Sequence, residues 1–299
     1  MTEQLRIGYV GLGQMGGAIA ERLLQPGIEL HVHDVSVAAM ERFTAQGAIA
    51  HRHARSVADA TEIVFGCLPS PDVSRAVALG PDGIAQGKAV RIYADMSTIG
   101  TEAMTGIAAQ LAGQGIDMLD APVTGGPPMA RKGLLTLLVS GSPAAVERVR
   151  PLLEAMGRSV HVIGDRPGMA QVMKVVNNII MATNMAVAGE ALGLGAKAGL
   201  DAGMMLRVLS EGTGQSFAAC QILQRAVSGA FDYGAALAIV AKDMKLGCRE
   251  AEFLGVDLPL ISRASGDWQA ALEQFGGTPD FTRLLSLYEA RVGTEIRQR

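Results

Sequence analysis

The chain has 299 residues, 49% of them apolar and 18% charged, with a net charge of −3 and a pI near 6.0. That length and composition allow one large domain or two ordinary ones with substantial cores. Lysines and arginines are scattered along the chain without a cluster, which leaves no electrostatic footprint for nucleic acid. The opening residues lack the basic start and long apolar stretch of a secretory signal. Cys67, Cys220 and Cys248 are spaced neither as a disulfide framework nor as zinc ligands. A cytoplasmic globular protein without a metal is expected.

From residue 5 to about 164, short β-branched runs alternate with amphipathic stretches ended by glycine, the pattern of strands joined by crossover helices. Strands are expected at 6–10, 30–34, 63–68, 89–96, 118–123, 134–140 and 160–163. Several are near-continuous apolar runs, as in buried parallel strands. The fold class is α/β: an N-terminal Rossmann-type doubly wound sheet followed by a C-terminal all-α domain.

The first strand runs into Gly11-Leu12-Gly13-Gln14-Met15-Gly16 and then into a helix-compatible stretch. Gly11 permits a tight turn, Gly13 lets a pyrophosphate approach the backbone, and Gly16 lets the helix pack closely. Asp34 ends the second expected strand about 20 residues further on, where a carboxylate accepts hydrogen bonds from ribose hydroxyls. A carboxylate there would repel a 2′-phosphate, so NAD is expected over NADP. The alternative is an ordinary glycine turn with a surface aspartate. His33, Arg52 and His53 do not alter the expectation.

Gly164-Asp165-Arg166-Pro167-Gly168 marks the expected boundary between a dinucleotide-binding domain, 1–164, and a helical domain, 165–299, that completes the substrate site and oligomerises. Helices are expected at 168–198, 201–210, 216–228, 235–254, 259–275 and 280–296. Glycines such as Gly199, Gly212, Gly214 and Gly255 punctuate them. The uncharged run 175–189 contains Asn177, Asn178 and Asn184 and is shorter than the roughly 20 residues of a membrane span. It reads as a buried helix.

Lys174 opens that run, and Asn177 and Asn178 follow at spacings that share one helical face. Its neighbours Met173, Val175, Val176, Ile179 and Ile180 are apolar, so the ammonium is expected to be partly desolvated. Desolvation lowers a lysine pKa, and so does a nearby oxidised nicotinamide, which readies the group for proton transfer near neutral pH. The alternative is a lysine that snorkels to the surface.

Five ordered segments now stand together: the glycine loop, Asp95-Met96-Ser97-Thr98, Asp120-Ala121-Pro122-Val123-Thr124-Gly125-Gly126, Lys174-Val175-Val176-Asn177-Asn178 and Lys242-Asp243-Met244-Lys245-Leu246. In these the chain resembles the β-hydroxyacid dehydrogenase family, which includes 3-hydroxyisobutyrate dehydrogenase and tartronate semialdehyde reductase. The likeness runs from Gly8 to about Leu246. It implies hydride exchange between NAD and a short β-hydroxy acid, 3-hydroxyisobutyrate or a similar compound, or the reverse reduction of a semialdehyde. It implies that Gly11, Leu12, Gly13, Gln14, Met15 and Gly16 bind the dinucleotide, that Thr98 and Lys242 touch it, and that Leu68 and Pro69 lie beside adenosine and ribose. Thr124, Gly125 and Gly126 would hold the substrate carboxylate, and the protein would be a homodimer or homotetramer. Lys242 as a solvated helix residue is the alternative for that position.

Lys174 would remove the alcohol proton, with Asn178 orienting either it or the hydroxyl. Ser97 is assigned to substrate positioning, with a plain helix cap as the alternative, and Asp120 is read as structural. The chain departs from the family pattern at Thr124, where serine is commoner, at Pro127-Pro128-Met129, which replaces a stretch that usually includes glycine, at Leu134, which replaces a threonine, and at Ala170, which replaces a glycine. These leave open 3-hydroxyisobutyrate, glycerate, 3-hydroxypropionate, 4-hydroxybutyrate, threonate and a sulfonated analogue. Other readings are a tartronate- or sulfolactaldehyde-type semialdehyde reductase, an imine-type or phosphogluconate-type reductase of the same fold, and a non-catalytic dinucleotide-binding module. Lys174 argues against the imine-type and non-catalytic readings, and the lack of an arginine cluster argues against the phosphogluconate type.

Overall fold

The computed structural model describes residues 4–299, which divide into two compact units, one ending at Lys174 and the other comprising Val175–Arg299. In the first, β1 (Leu5–Val10), β2 (Ile28–His33), β3 (Ile49–Ala50), β4 (Ile63–Gly66), β5 (Ile92–Asp95) and β6 (Asp117–Asp120) are parallel, in the order β3-β2-β1-β4-β5-β6. The order reverses between β1 and β4, the switch point at which such sheets open a crevice for ligands. The crossovers carry α1 (Gln14–Ala20), α2 (Val37–Thr44), α3 (Ala54–Ala60), α4 (Pro71–Leu79) and α5 (Thr101–Ala112).

Alternation along β1 explains the two layers. Ile7 and Tyr9 point into a core that includes Leu30, Val32 and Phe65, whereas Val10 joins Val64, Tyr93, Met104 and Ile107 on the other face. A Cβ on Gly8 would come within 2.5 Å of Val57, so its absence lets α3 lie against β1.

Beyond β6 the sheet changes character. β7 (Val123–Thr124) and β8 (Leu135–Ser140) are antiparallel neighbours, β8 meets β6 antiparallel at Asp120 and Ser140, and β9 (Gly157–Gly164) runs parallel to β8. α6 (Gly126–Arg131) and α7 (Pro143–Met156) fill the connections. The sequence shows these strands but not their directions. The run expected at 118–123 is two strands, broken at Ala121-Pro122, and β3 escapes the sequence pattern because its two residues are exposed.

α8 (Met169–Lys197) begins in the first unit and continues into the second. The first turn of α8 belongs to the first compact unit, where Ala170 and Gln171 are hydrogen-bonded to Ser140 and Asp120. The second unit continues with α9 (Ala202–Glu211), a π-helical turn leading into α10 (Leu223–Val227), then α11 (Leu237–Leu254), α12 (Pro259–Phe275) and α13 (Leu284–Val292). Its core surrounds the fully buried Trp268, whose indole N–H donates to the carbonyl of Ala182 at 3.2 Å. Close helix crossings rest on glycine: a Cβ at Gly247 would meet Ile179 at 2.4 Å, and one at Gly189 would meet Tyr288 at 2.5 Å. Among the described residues α8 alone is long and apolar enough to cross a membrane, and its Val175, Ile179, Ala182 and Met185 are core residues of the second unit.

Candidate active site

The turn after β1 is shaped by main-chain demands. Gly11 has φ +93°, and a Cβ there would meet the carbonyl oxygen of Cys67 at 2.3 Å. A Cβ on Gly16 would lie 2.1 Å from the Gly11 oxygen. At Gly13 a Cβ would meet nothing within 4 Å, and this residue begins α1 with no side chain capping the helix. Leu12 is buried, Gln14 exposed and Met15 half-buried. The uncapped N–H groups over open space suit a pyrophosphate.

Asp34 lies just past β2 and reaches back to this turn. Its Oδ2 accepts from the Leu12 N–H at 2.6 Å and its Oδ1 from the Ser36 N–H at 2.7 Å. The carboxylate thus fixes the loop while keeping lone pairs for further donors. An open glycine turn, an uncapped helix start and a carboxylate beside them fit a dinucleotide.

A second group of residues gathers at the carboxyl ends of β4, β5 and β6. The Ser97 hydroxyl accepts from the Leu68 N–H at 2.7 Å, which joins the turn of Leu68 and Pro69 to that of Ser97 and Thr98. Ser97 does not cap α5, since the residue in that position is Gly100. Asp95 and Asp120, both fully buried, are register partners on β5 and β6. Asp95 Oδ1 accepts from the Ser97 N–H at 2.8 Å, and burial holds its carboxyl above the usual range. Asp120 accepts from the Ser140 hydroxyl and, at 2.9 Å, from the Gln171 N–H. Burial pushes its pKa up to about 6 against the opposing pull of those hydrogen bonds. Sequence reasoning missed Asp95, Ser140 and Gln171 as members of this network.

Thr124 pairs with Thr136 across β7 and β8, and Gly125 and Gly126 follow with φ +130° and +75°. Both values lie where a side chain is strained, so the turn requires its two glycines. Met129 and Leu135 would each stand 3.1 Å from a Cβ on Gly125, which shows how closely the Pro127-Pro128-Met129 segment folds over it.

On α8, Lys174 is only 9% exposed and so does not snorkel into solvent. Asn178 is buried one turn later, in the second unit. Its Nδ2 donates to Asp243 Oδ2 at 2.7 Å, and its Oδ1 accepts from Asn177 Nδ2 at 3.0 Å. Lys242 Nζ lies 3.0 Å from Asp243 Oδ1. Lys242 and Asn178 therefore share one carboxylate, and Asp243, carried in the lysine–aspartate segment but given no role from sequence, connects them. Among the described residues no group of three or more His, Cys, Asp or Glu side chains is arranged to hold a metal ion.

Residues 6–164 match the model of the NAD binding domain of 6-phosphogluconate dehydrogenase, and 168–288 match that of the NAD-binding region of NADP-dependent 3-hydroxyisobutyrate dehydrogenase. The 2-(hydroxymethyl)glutarate dehydrogenase of Eubacterium barkeri is 32% identical, with 99% of each chain covered. The chain belongs to the β-hydroxyacid dehydrogenase family. Another member, the 3-hydroxyisobutyrate dehydrogenase of Pseudomonas aeruginosa, is 33% identical over 95% of this chain and 99% of its own. The crystal structure of 3-hydroxyisobutyrate dehydrogenase from Salmonella typhimurium superposes with a TM-score of 0.84 at 30% identity, over 95% of this chain and 100% of that one.

Proposed function

We propose that this chain is an NAD-dependent dehydrogenase exchanging a hydride with a short β-hydroxy acid of the 3-hydroxyisobutyrate kind, to give the semialdehyde or in the reverse sense. The observation that carries this reading is the burial of Lys174 on a helix whose first turn is hydrogen-bonded to the carboxyl edge of the sheet. That edge is where open α/β sheets collect ligands. Bound NAD supplies the nicotinamide C4 that accepts hydride from the carbinol carbon.

Lys174, as the neutral amine, takes the hydroxyl proton while the carbonyl forms, and in reduction its ammonium returns a proton to that oxygen. Asn178, held by Asp243, orients the amine or the substrate hydroxyl. Thr124, Gly125 and Gly126 receive the substrate carboxylate through hydroxyl and main-chain donors, with Ser97 beside them. Residues 11–16, Asp34, Leu68, Pro69, Thr98 and Lys242 hold the dinucleotide. NAD is favoured over NADP because Asp34 is followed by Val35, Ser36 and Val37, which bring no positive charge to a 2′-phosphate. The protein assembles as a homodimer or homotetramer.

The test is NADH formation at alkaline pH, with NAD and NADP in parallel, across a panel of short hydroxy acids that includes branched and sulfonated ones. One preferred acid and faster turnover with NAD are expected. Lys174→Ala should lose kcat by about 100-fold or more while binding NAD as before. Near-normal turnover by that variant removes Lys174 from its role, and silence across the panel turns the reading toward a dinucleotide-binding module.

A further inference from the structure

Gln171 is fully buried, and its polar groups serve neither the glycine loop nor the Gly125-Gly126 turn. Its Oε1 accepts from the N–H groups of Ile99 and Gly100 at 3.0 and 3.1 Å. Its Nε2 donates to the Ser97 carbonyl at 3.0 Å. Its own N–H donates to Asp120. Three of the four bonds close the main chain of residues 97–100, the segment that carries Ser97 and Thr98 between β5 and α5. The fourth, with the Ala170 N–H on the Ser140 hydroxyl at 2.9 Å, ties the start of α8 to β6 and β8.

Gln171 stands three residues before Lys174, hence on the same helical face one turn earlier. A buried glutamine is not needed to fill the space, because methionine has nearly the same length and shape. What methionine lacks is the match of one acceptor to two N–H groups and of one donor to a carbonyl. That match sets the height and rotation of the helix start against the loop.

We propose that Gln171 is a positioning residue: its carboxamide fixes the turn of α8 that carries Lys174 in register with the loop that carries Ser97 and Thr98. The inference rests on the reading of Lys174 as the proton-handling group. Gln171 acts through the main chain and touches no reacting atom. A displacement of about 1 Å between a catalytic group and its substrate can cost on the order of 100-fold in rate.

The experiment compares wild type, Lys174→Ala, Gln171→Met and Gln171→Glu, using the acid of the panel that gives the fastest NADH formation. It measures the NAD dissociation constant by calorimetry, kcat and KM with protiated and carbinol-deuterated acid, and the melting transition. Gln171→Met should fold, bind NAD within about 3-fold of wild type and lose kcat by roughly 30- to 100-fold. Its deuterium isotope effect should rise, because C–H cleavage from a misplaced complex becomes the slowest step. Gln171→Glu keeps the acceptor for Ile99 and Gly100 and should recover part of the lost kcat, and it carries the test if the methionine variant does not fold.

A folded Gln171→Met with wild-type kcat and isotope effect, while Lys174→Ala is inactive, overturns the inference and leaves the Lys174 reading standing. Loss of kcat matched by an equal loss of NAD affinity, or collapse of the melting transition in both Gln171 variants, also overturns it. No NAD-linked turnover by the wild type, or near-normal turnover by Lys174→Ala, overturns the reading and the inference together.

Discussion

Gly13 and Gly16 stand three residues apart in the same turn and answer to different constraints. Gly16 is required by the fold, since a Cβ there would overlap the Gly11 carbonyl oxygen at 2.1 Å. Gly13 has φ −61° and open space around its missing Cβ, so the fold alone tolerates alanine. Its constraint comes from whatever must approach the backbone. Gly13→Ala should therefore keep its stability within about 1 kcal/mol, the ordinary difference between glycine and alanine at a helix start. Its NAD dissociation constant should rise at least about tenfold, by the loss of one close phosphate contact. Gly16→Ala should lower the melting temperature as well. Calorimetric titration beside a melting curve separates the two, and an unchanged dissociation constant for Gly13→Ala would remove the pyrophosphate from this position.

At the scale of elements, the parts legible in the sequence are those with local signatures. The glycine loop between β1 and α1, Asp34 after β2, and the long α8 with Lys174 each follow from spacing and apolar pattern over a few turns. The network of Asp95, Ser97, Asp120, Ser140 and Gln171 does not, because it depends on the register of β5 against β6 and on β8 entering antiparallel. A glutamine early in an apolar helix gives no sign that a loop some 70 residues earlier will close over it. Likewise the two-residue β3 and the reversal of β8 are set by pairing partners rather than by the residues in those strands.

That network makes a prediction of its own. The Asp120 carboxyl keeps its proton to a pH of about 6 in the folded protein, against an ordinary value of 3.8. Between those values the folded state binds more protons than the unfolded one, so stability falls as pH rises through that window. This one group removes about 2 to 3 kcal/mol between pH 3.8 and pH 7. Asp120→Asn has no charge to bury and can still accept from the Gln171 N–H, so its urea-unfolding stability should lack this slope. Parallel pH dependences for the two proteins between pH 4 and 7 would show that Asp120 is ionised at no cost.

For the whole molecule, the pattern on α8 bears on assembly. One side of this helix supplies the core residues Val175, Ile179, Ala182 and Met185, while Ile180, Val187 and Leu194 are exposed at 53%, 58% and 74%. These three are seven residues apart and so form a stripe along one face, since a heptad drifts by only about 20° on a straight helix. Leu200, Met204 and Val208 add further exposed apolar side chains just beyond. Scattered single hydrophobic residues on a surface are ordinary, but a periodic row on the longest helix is the composition of a contact that excludes water. A stable interface of standard size needs about 800 Å² from each partner, which this stripe and its surroundings can supply only by acting together. Sedimentation equilibrium at micromolar concentration should show a dimer or tetramer. Val187→Glu with Leu194→Glu would bury two unpaired carboxylates in such a contact, at several kcal/mol each, and should shift the protein to monomer while leaving the helical content of the far-ultraviolet spectrum unchanged. A wild type that sediments as a monomer, or a double variant with the same mass as wild type, would place the assembly surface elsewhere or remove it.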